Sequence, residues 1–287
     1  MTDGSATSGE ARSGEARSGE ARSGETLAGA ARSDDVLPGD VLPGDVLPGG
    51  NMNVVHRDGD TVLRLAGPWT PTVHRYLDYV AKAGIDWLPR PLGVEGERER
   101  LSFLVGDAPQ YPLPDDVWTD AVLQQGARML RRLHDASIGF PLDGATWQSR
   151  SKVPSEVICH NDFAPHNLVF ADGAIIGAFD VDMCSPGPRL WDIAYYATRT
   201  VPLTADTPPN APGMDDARRR VELLLAAYGS TDTWTDVLRV AIIRLLDLAE
   251  MSRKKAAELG KPELAEDALL YERDAAFLSP LRDAATG

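Results

Sequence analysis

The side chains best suited to chemistry lie near the middle of the chain. His160, Asp162 and Asn167 follow the order H-x-D-x-x-x-x-N, and Asp180 comes 13 residues after the asparagine. Between them, Leu168–Phe170 and Ala174–Phe179 are short apolar runs around Asp172-Gly173, the strongest short-range signal for a β-hairpin. Folding the chain about that turn brings Asn167 and Asp180 together at the hairpin's open end. An amide oxygen and a carboxylate are hard ligands of the kind magnesium takes alongside substrate phosphates. Asp162, in the loop entering the hairpin, is placed to accept a proton from an attacking hydroxyl. The chemistry implied is phosphoryl transfer of the kinase type.

Other readings of these residues are weaker. Cys159, His160, His166 and Cys184 invite a zinc site, but their spacing fits no common Cys/His ligand pattern. Asp162 and Asn167 also suit a capped turn, which leaves Asp180 unexplained. Trp69 and Trp191 are expected to pack rather than to stack on a nucleobase. Asp247 and Glu250 share a helix face; they are candidates for an acceptor pocket taking a cationic substrate, although a solvated face is the favoured reading.

The elements that must position this chemistry read as follows. The chain has 287 residues, with 29 Lys and Arg against 43 Asp and Glu, a formal charge of −14. That balance argues against a nucleic-acid partner. No stretch approaches the roughly 18 uncharged apolar residues of a membrane span, the start has no signal-peptide pattern, and two cysteines make no disulfide framework. A reduced, cytoplasmic enzyme is expected. Residues 1–44 carry SGEAR and DVLPG pentapeptides, too poor in large apolar side chains to offset the entropy of ordering, and are expected to form a disordered tail. Residues 45–106 read as a small β-rich lobe. Strands are expected at Val54–His56, Thr61–Leu65, Leu92–Val94 and Arg100–Val105, with a helix over Thr72–Ala83. Gly106-Asp107 and the prolines that follow mark a seam. Residues 107–287 read as a larger, mainly helical lobe, with helices over Asp120–Asp135, Asp215–Tyr228, Thr235–Leu259 and Glu263–Ala276. The fold class is α+β in two lobes.

These motifs resemble the aminoglycoside phosphotransferase and choline kinase superfamily, the small-molecule branch of the protein-kinase-like fold. Residues 159–167 resemble its catalytic loop, Phe179–Asp182 its metal-binding Asp motif, Pro186–Ala194 the segment that follows, and Leu130–His134 its LxxLH helix end. The likeness runs from about Leu47 to Pro202 and fades in the last eighty residues. It implies that Asp162 is the general base or hydroxyl-orienting group, and that Asn167 and Asp180 hold Mg2+ on the phosphates of ATP or GTP. It also implies that His160 braces the loop, that Asp192 hydrogen-bonds the loop backbone, and that the acceptor is a hydroxylated small molecule. Asp182 is either a supporting residue or a charged strand end.

The small lobe departs from the family pattern. Where the family has a Lys on the third strand, the best-placed cation is Arg64, a longer, planar fork. No Glu occurs in residues 72–83 to pair with it; His74 and Asp78 are the only candidates there. Gly50 and Asn51, in Gly49–Asn53, occupy the place of a loop covering the nucleotide phosphates. The departures keep open a catalytically impaired, kinase-like nucleotide-binding module, and the acidic cluster alone would also suit a metal-dependent hydrolase.

Overall fold

The computed structural model describes residues 45–47 and 55–286, so the repeat segment and the Gly50-Asn51 loop lie outside the described residues. The N-terminal part is built on an antiparallel sheet of β1 (Asp45–Leu47), β2 (Val55–Asp58), β3 (Thr61–Leu65), β4 (Pro91–Glu95) and β5 (Arg98–Ser102), in the order β1-β2-β3-β5-β4. Alternation along β3 and β5 puts the cross-strand partners Val62 and Leu101 on one face, where they join the core that includes Val73, Tyr76, Leu77 and Val80 of helix α1 (Thr70–Lys82); Leu63 is buried on the other face. The register sets Arg64 directly opposite Glu99.

Helix α2 (Asp120–Ser137) follows the proline-rich seam, opened by Thr119, whose Oγ1 accepts from the Val122 amide at 3.3 Å. Strand β6 (Val157–Cys159) leads into the loop that carries Asp162, and the hairpin β7 (Leu168–Ala171) and β8 (Ala174–Ala178) comes next. Asp172 and Gly173 both take positive φ, 50° and 74°, as a two-residue turn of the mirror-image type requires. The seam is tied to this hairpin by reciprocal amide–carbonyl bonds between Asp107 and Phe170, at 2.8 and 2.9 Å. Strand β9 (Ser185–Gly187) returns to pair with β6, and helices α3 (Arg189–Thr200), α4 (Ala217–Tyr228), α5 (Trp234–Leu259) and α6 (Glu263–Thr286) complete the chain.

Several elements differ from the sequence reading: the short strands β1, β6 and β9 are not expected from it, β5 lies at Arg98–Ser102 rather than Arg100–Val105, and two helices differ. Helix α3 has no element assigned by periodicity, because Trp191 to Thr198 are all buried and no solvent-facing stripe marks it. Helix α6 continues ten residues past Ala276 and carries Pro280 within it. No helix among the described residues is long and apolar enough to cross a membrane.

Candidate active site

The loop between β6 and β7 is held from below by a buried carboxylate. Asp192, on the first turn of α3, accepts the amides of His160 at 2.6 Å and Asn161 at 2.9 Å, and its Oδ2 also meets His134 Nε2 at 3.1 Å. Burial alone would raise the Asp192 carboxyl; the His134 contact and the loop amides outweigh it and hold the group below the usual carboxylate range. His134 is fixed in turn by the Tyr228 hydroxyl at 2.7 Å, and His160 Nε2 meets the Phe179 carbonyl at 3.1 Å. Both expected supports, His160 and Asp192, thus contact the loop and the hairpin base.

Within that frame the backbone is strained where the chemistry sits. Asn161 has φ 65° and Asp180 φ 59°, left-handed values that few residues other than glycine adopt. Asn161 is pinned there by its side-chain donations to the Met183 carbonyl at 2.7 Å and to Ser185 Oγ at 2.8 Å, while Arg244 of α5 donates to its carbonyl.

Asp162 is oriented from two sides. Tyr195 of α3 donates to its Oδ1 at 2.6 Å, and Asn167 Nδ2 donates to its Oδ2 and its main-chain oxygen, both at 2.9 Å. Burial would raise this carboxyl, but His166, the Tyr195 hydroxyl and His160 outweigh that and hold it well below the usual range. Asn167 spends its amide nitrogen on Asp162, and its Oδ1 accepts no hydrogen bond from the described residues. Its carbonyl accepts the Phe179 amide at 3.0 Å, which sets Asp180 next to it at the hairpin's open end.

Arg64 is buried rather than an exposed strand residue. It bonds Glu99 Oε1 at 2.8 Å, Asp180 Oδ1 at 3.3 Å and Asp182 Oδ1. Glu99, whose side chain is 1% exposed, is the partner that residues 72–83 lack; it comes from β5, and His74 Nε2 meets its other oxygen at 2.7 Å. Asp78 is solvent-exposed. Glu99 escapes a search confined to the following helix, although its buried place on the strand facing Arg64 is implied by the alternation of Arg98–Ser102. Asp182, in a short helical turn after Asp180, is thereby a supporting residue rather than a free strand end.

Three carboxylates share one guanidinium here, so negative charge is in excess. Burial pushes the Asp182 carboxyl up to about 6, with Arg64 opposing and Asp180 and Glu99 adding to the rise. The same carboxylates hold Arg64 charged against the cost of its burial. Asp180 is the open member, its side chain 41% exposed. An uncommitted amide oxygen on Asn167, an accessible carboxylate on Asp180 and surplus negative charge fit a hard divalent cation such as Mg2+.

The remaining candidates disperse. Among the described residues, Cys159, His160, His166 and Cys184 are not gathered into one ligand set, in keeping with the rejection of zinc; the compact set present is His134, Cys159 and Asp192, whose members are engaged in the bonds given above and in a Cys159 Sγ donation to the Pro188 carbonyl at 3.4 Å. Trp191 is buried between Lys152 and Arg244, as a packing residue should be, and the half-buried Trp69 packs on the main core. Asp247 lies 3.8 Å from Lys152 and 3.7 Å from Arg244, and Glu250 is exposed; α5 also brings Lys255 into the field of Asp180 and Asp162. Lys255, Arg244 and Glu99 are charged residues at the site that the motif search misses.

Comparison with known proteins agrees with this architecture. The model of the phosphotransferase enzyme family matches residues 143–235. The trifolitoxin immunity protein of Rhizobium leguminosarum bv. trifolii is 31% identical over 191 residues, covering 63% of this chain and 72% of that protein. The chain belongs to the phosphotransferase enzyme family. In fold it is similar to a Plasmodium vivax ethanolamine kinase (TM-score 0.60, 14% identity, 88% of this chain and 86% of the other). It is similar likewise to an aminoglycoside phosphotransferase solved with GDP and kanamycin (TM-score 0.55, 12% identity, 81% and 92%).

Proposed function

We propose that this protein is a small-molecule kinase that transfers the γ-phosphoryl group of ATP or GTP to a hydroxyl of a small acceptor. The observation that carries this reading is the position of Asp162, ionised and doubly oriented, beside the Asn167–Asp180 pair. Asn167 and Asp180 would hold Mg2+, which neutralises phosphate charge when bound. Asp162 receives the acceptor's hydroxyl hydrogen or orients its lone pair toward the phosphoryl group. Tyr195 and Asn167 keep the carboxylate aimed, so little reorganisation is left for the moment of transfer. Residues 45–106 cover the nucleotide, and residues 107–287 carry the catalytic loop and the acceptor site. Arg64, braced by Glu99 and His74, offers positive charge where the phosphates arrive.

A nucleotide-binding module with little catalysis is the second reading. The engagement of Arg64 by three carboxylates favours it, because phosphate must compete with them. Turnover separates the two. With an accepted alcohol, Asp162→Asn should cut kcat by about 10²–10⁴ and leave the nucleotide dissociation constant within a few-fold. Nucleotide binding without transfer to any alcohol would favour the module, and unchanged kcat in Asp162→Asn would remove Asp162 from its role.

A further inference from the structure

Beside Tyr195, the residue that orients Asp162, lies a cation that pairs with no carboxylate among the described residues. Arg199, on the last turn of α3, has its Cζ 5.1 Å from the ring centre of Tyr195 and 5.7 Å from that of Tyr271 on α6. Its Nε is buried without a hydrogen-bond partner, and the residue as a whole is half-buried. Among the described residues Arg199 forms no ion pair. Asp267 and Asp274 of α6 sense its charge, and Asp274 accepts the Ala205 amide at 2.9 Å.

Arg199 and Asp162 share Tyr195 as a neighbour. The Tyr195 ring bridges them, bonded to Asp162 at its hydroxyl and lying beside Arg199. Tyr111 senses both charges, and its hydroxyl meets His166 Nδ1 at 3.4 Å; His166 Nε2 in turn lies 3.8 Å from Asp162. Lys255 adds a second positive charge within the field of Asp162. A cation held between phenol rings keeps its planar fork pre-organised, and that fork matches the paired oxygens of a carboxylate or phosphate. A polycationic acceptor would meet repulsion in the same place.

We infer that the acceptor is an anionic alcohol, whose carboxylate or phosphate is received by Arg199 while its hydroxyl is offered to Asp162. The inference rests on the kinase reading and adds the charge of the substrate. Arg199 is in this account a specificity-determining residue.

The test is thermal unfolding of wild type, Arg199→Gln and Arg199→Lys, each saturated with AMP-PNP and magnesium. Malonate, inorganic phosphate, choline and kanamycin are added separately at matched ionic strength. Malonate or phosphate should raise the wild-type Tm further, whichever does so naming the oxyanion. The effect should weaken at least tenfold in apparent affinity in Arg199→Gln and largely survive in Arg199→Lys. Equal effects of both anions on wild type and Arg199→Gln would overturn the inference. So would protection of wild type by choline or kanamycin but by neither anion, a comparison that stands even where Arg199→Gln does not fold. A wild type unmoved by AMP-PNP and magnesium alone would instead defeat the kinase reading, and the inference with it.

Discussion

Asp192 shows how one buried side chain sets the shape of the site. Its two oxygens receive the amides of His160 and Asn161 together with His134, and the left-handed turn at Asn161 depends on those bonds. An Asn at this position has only one acceptor oxygen and turns two donors toward a donor. Asp192→Asn should therefore cost about 2–4 kcal/mol, as expected when a buried, charge-assisted network loses one acceptor. The sign of its pH dependence follows from the depressed carboxyl. The unfolded chain binds this proton at a higher pH than the folded chain does, so the stabilisation is present above pH ~4 and is lost as pH falls below it. Urea midpoints between pH 7 and pH 3 should fall more steeply in wild type than in Asp192→Asn. Parallel curves would show that Asp192 carries no charge-linked stability.

At the scale of elements, the close approach of α2 to α3 lets Asp192 and Tyr195 reach the loop. Gly126 makes this contact possible: a Cβ there would stand 2.1 Å from the Tyr196 hydroxyl oxygen, which itself bonds back to α2 carbonyls. Gly126→Ala should destabilise by about 1–3 kcal/mol, the usual cost of overpacking, read from chemical denaturation. A neutral or stabilising result would mean that the two helices separate without penalty. Sequence legibility divides along the same lines. The β7–β8 hairpin was readable because its Asp-Gly turn and flanking apolar runs are local signals, and with it the Asn167–Asp180 pairing. The brace of Arg64 was not, because Glu99 reaches it through strand register across 35 residues rather than through helix spacing. Helix α3 was hidden by burial on nearly every side, and the contributions of Tyr195 and Arg199 were hidden with it. Lys255 belongs to a helix whose amphipathic pattern was plain, but which residue of a 26-residue helix faces the site depends on tertiary packing.

Across the whole molecule, two parts of the chain meet at one cluster of charge. Arg64 and Glu99 come from the N-terminal sheet, Asp180 and Asp182 from beyond the hairpin, and the four are joined into one network. That network has more negative than positive charge, so a magnesium nucleotide should bind at its open member, Asp180, and stabilise the fold as a whole. The most direct measurement is the Tm of wild type and Asp180→Ala, each with and without ATP or GTP and magnesium. At a hundredfold above its dissociation constant the nucleotide should add about 2.7 kcal/mol, or about 5–10 °C for a domain of this size. The account predicts a magnesium-dependent rise in wild type that is absent in Asp180→Ala. A wild type that neither nucleotide stabilises, or an Asp180→Ala variant stabilised equally, would contradict it.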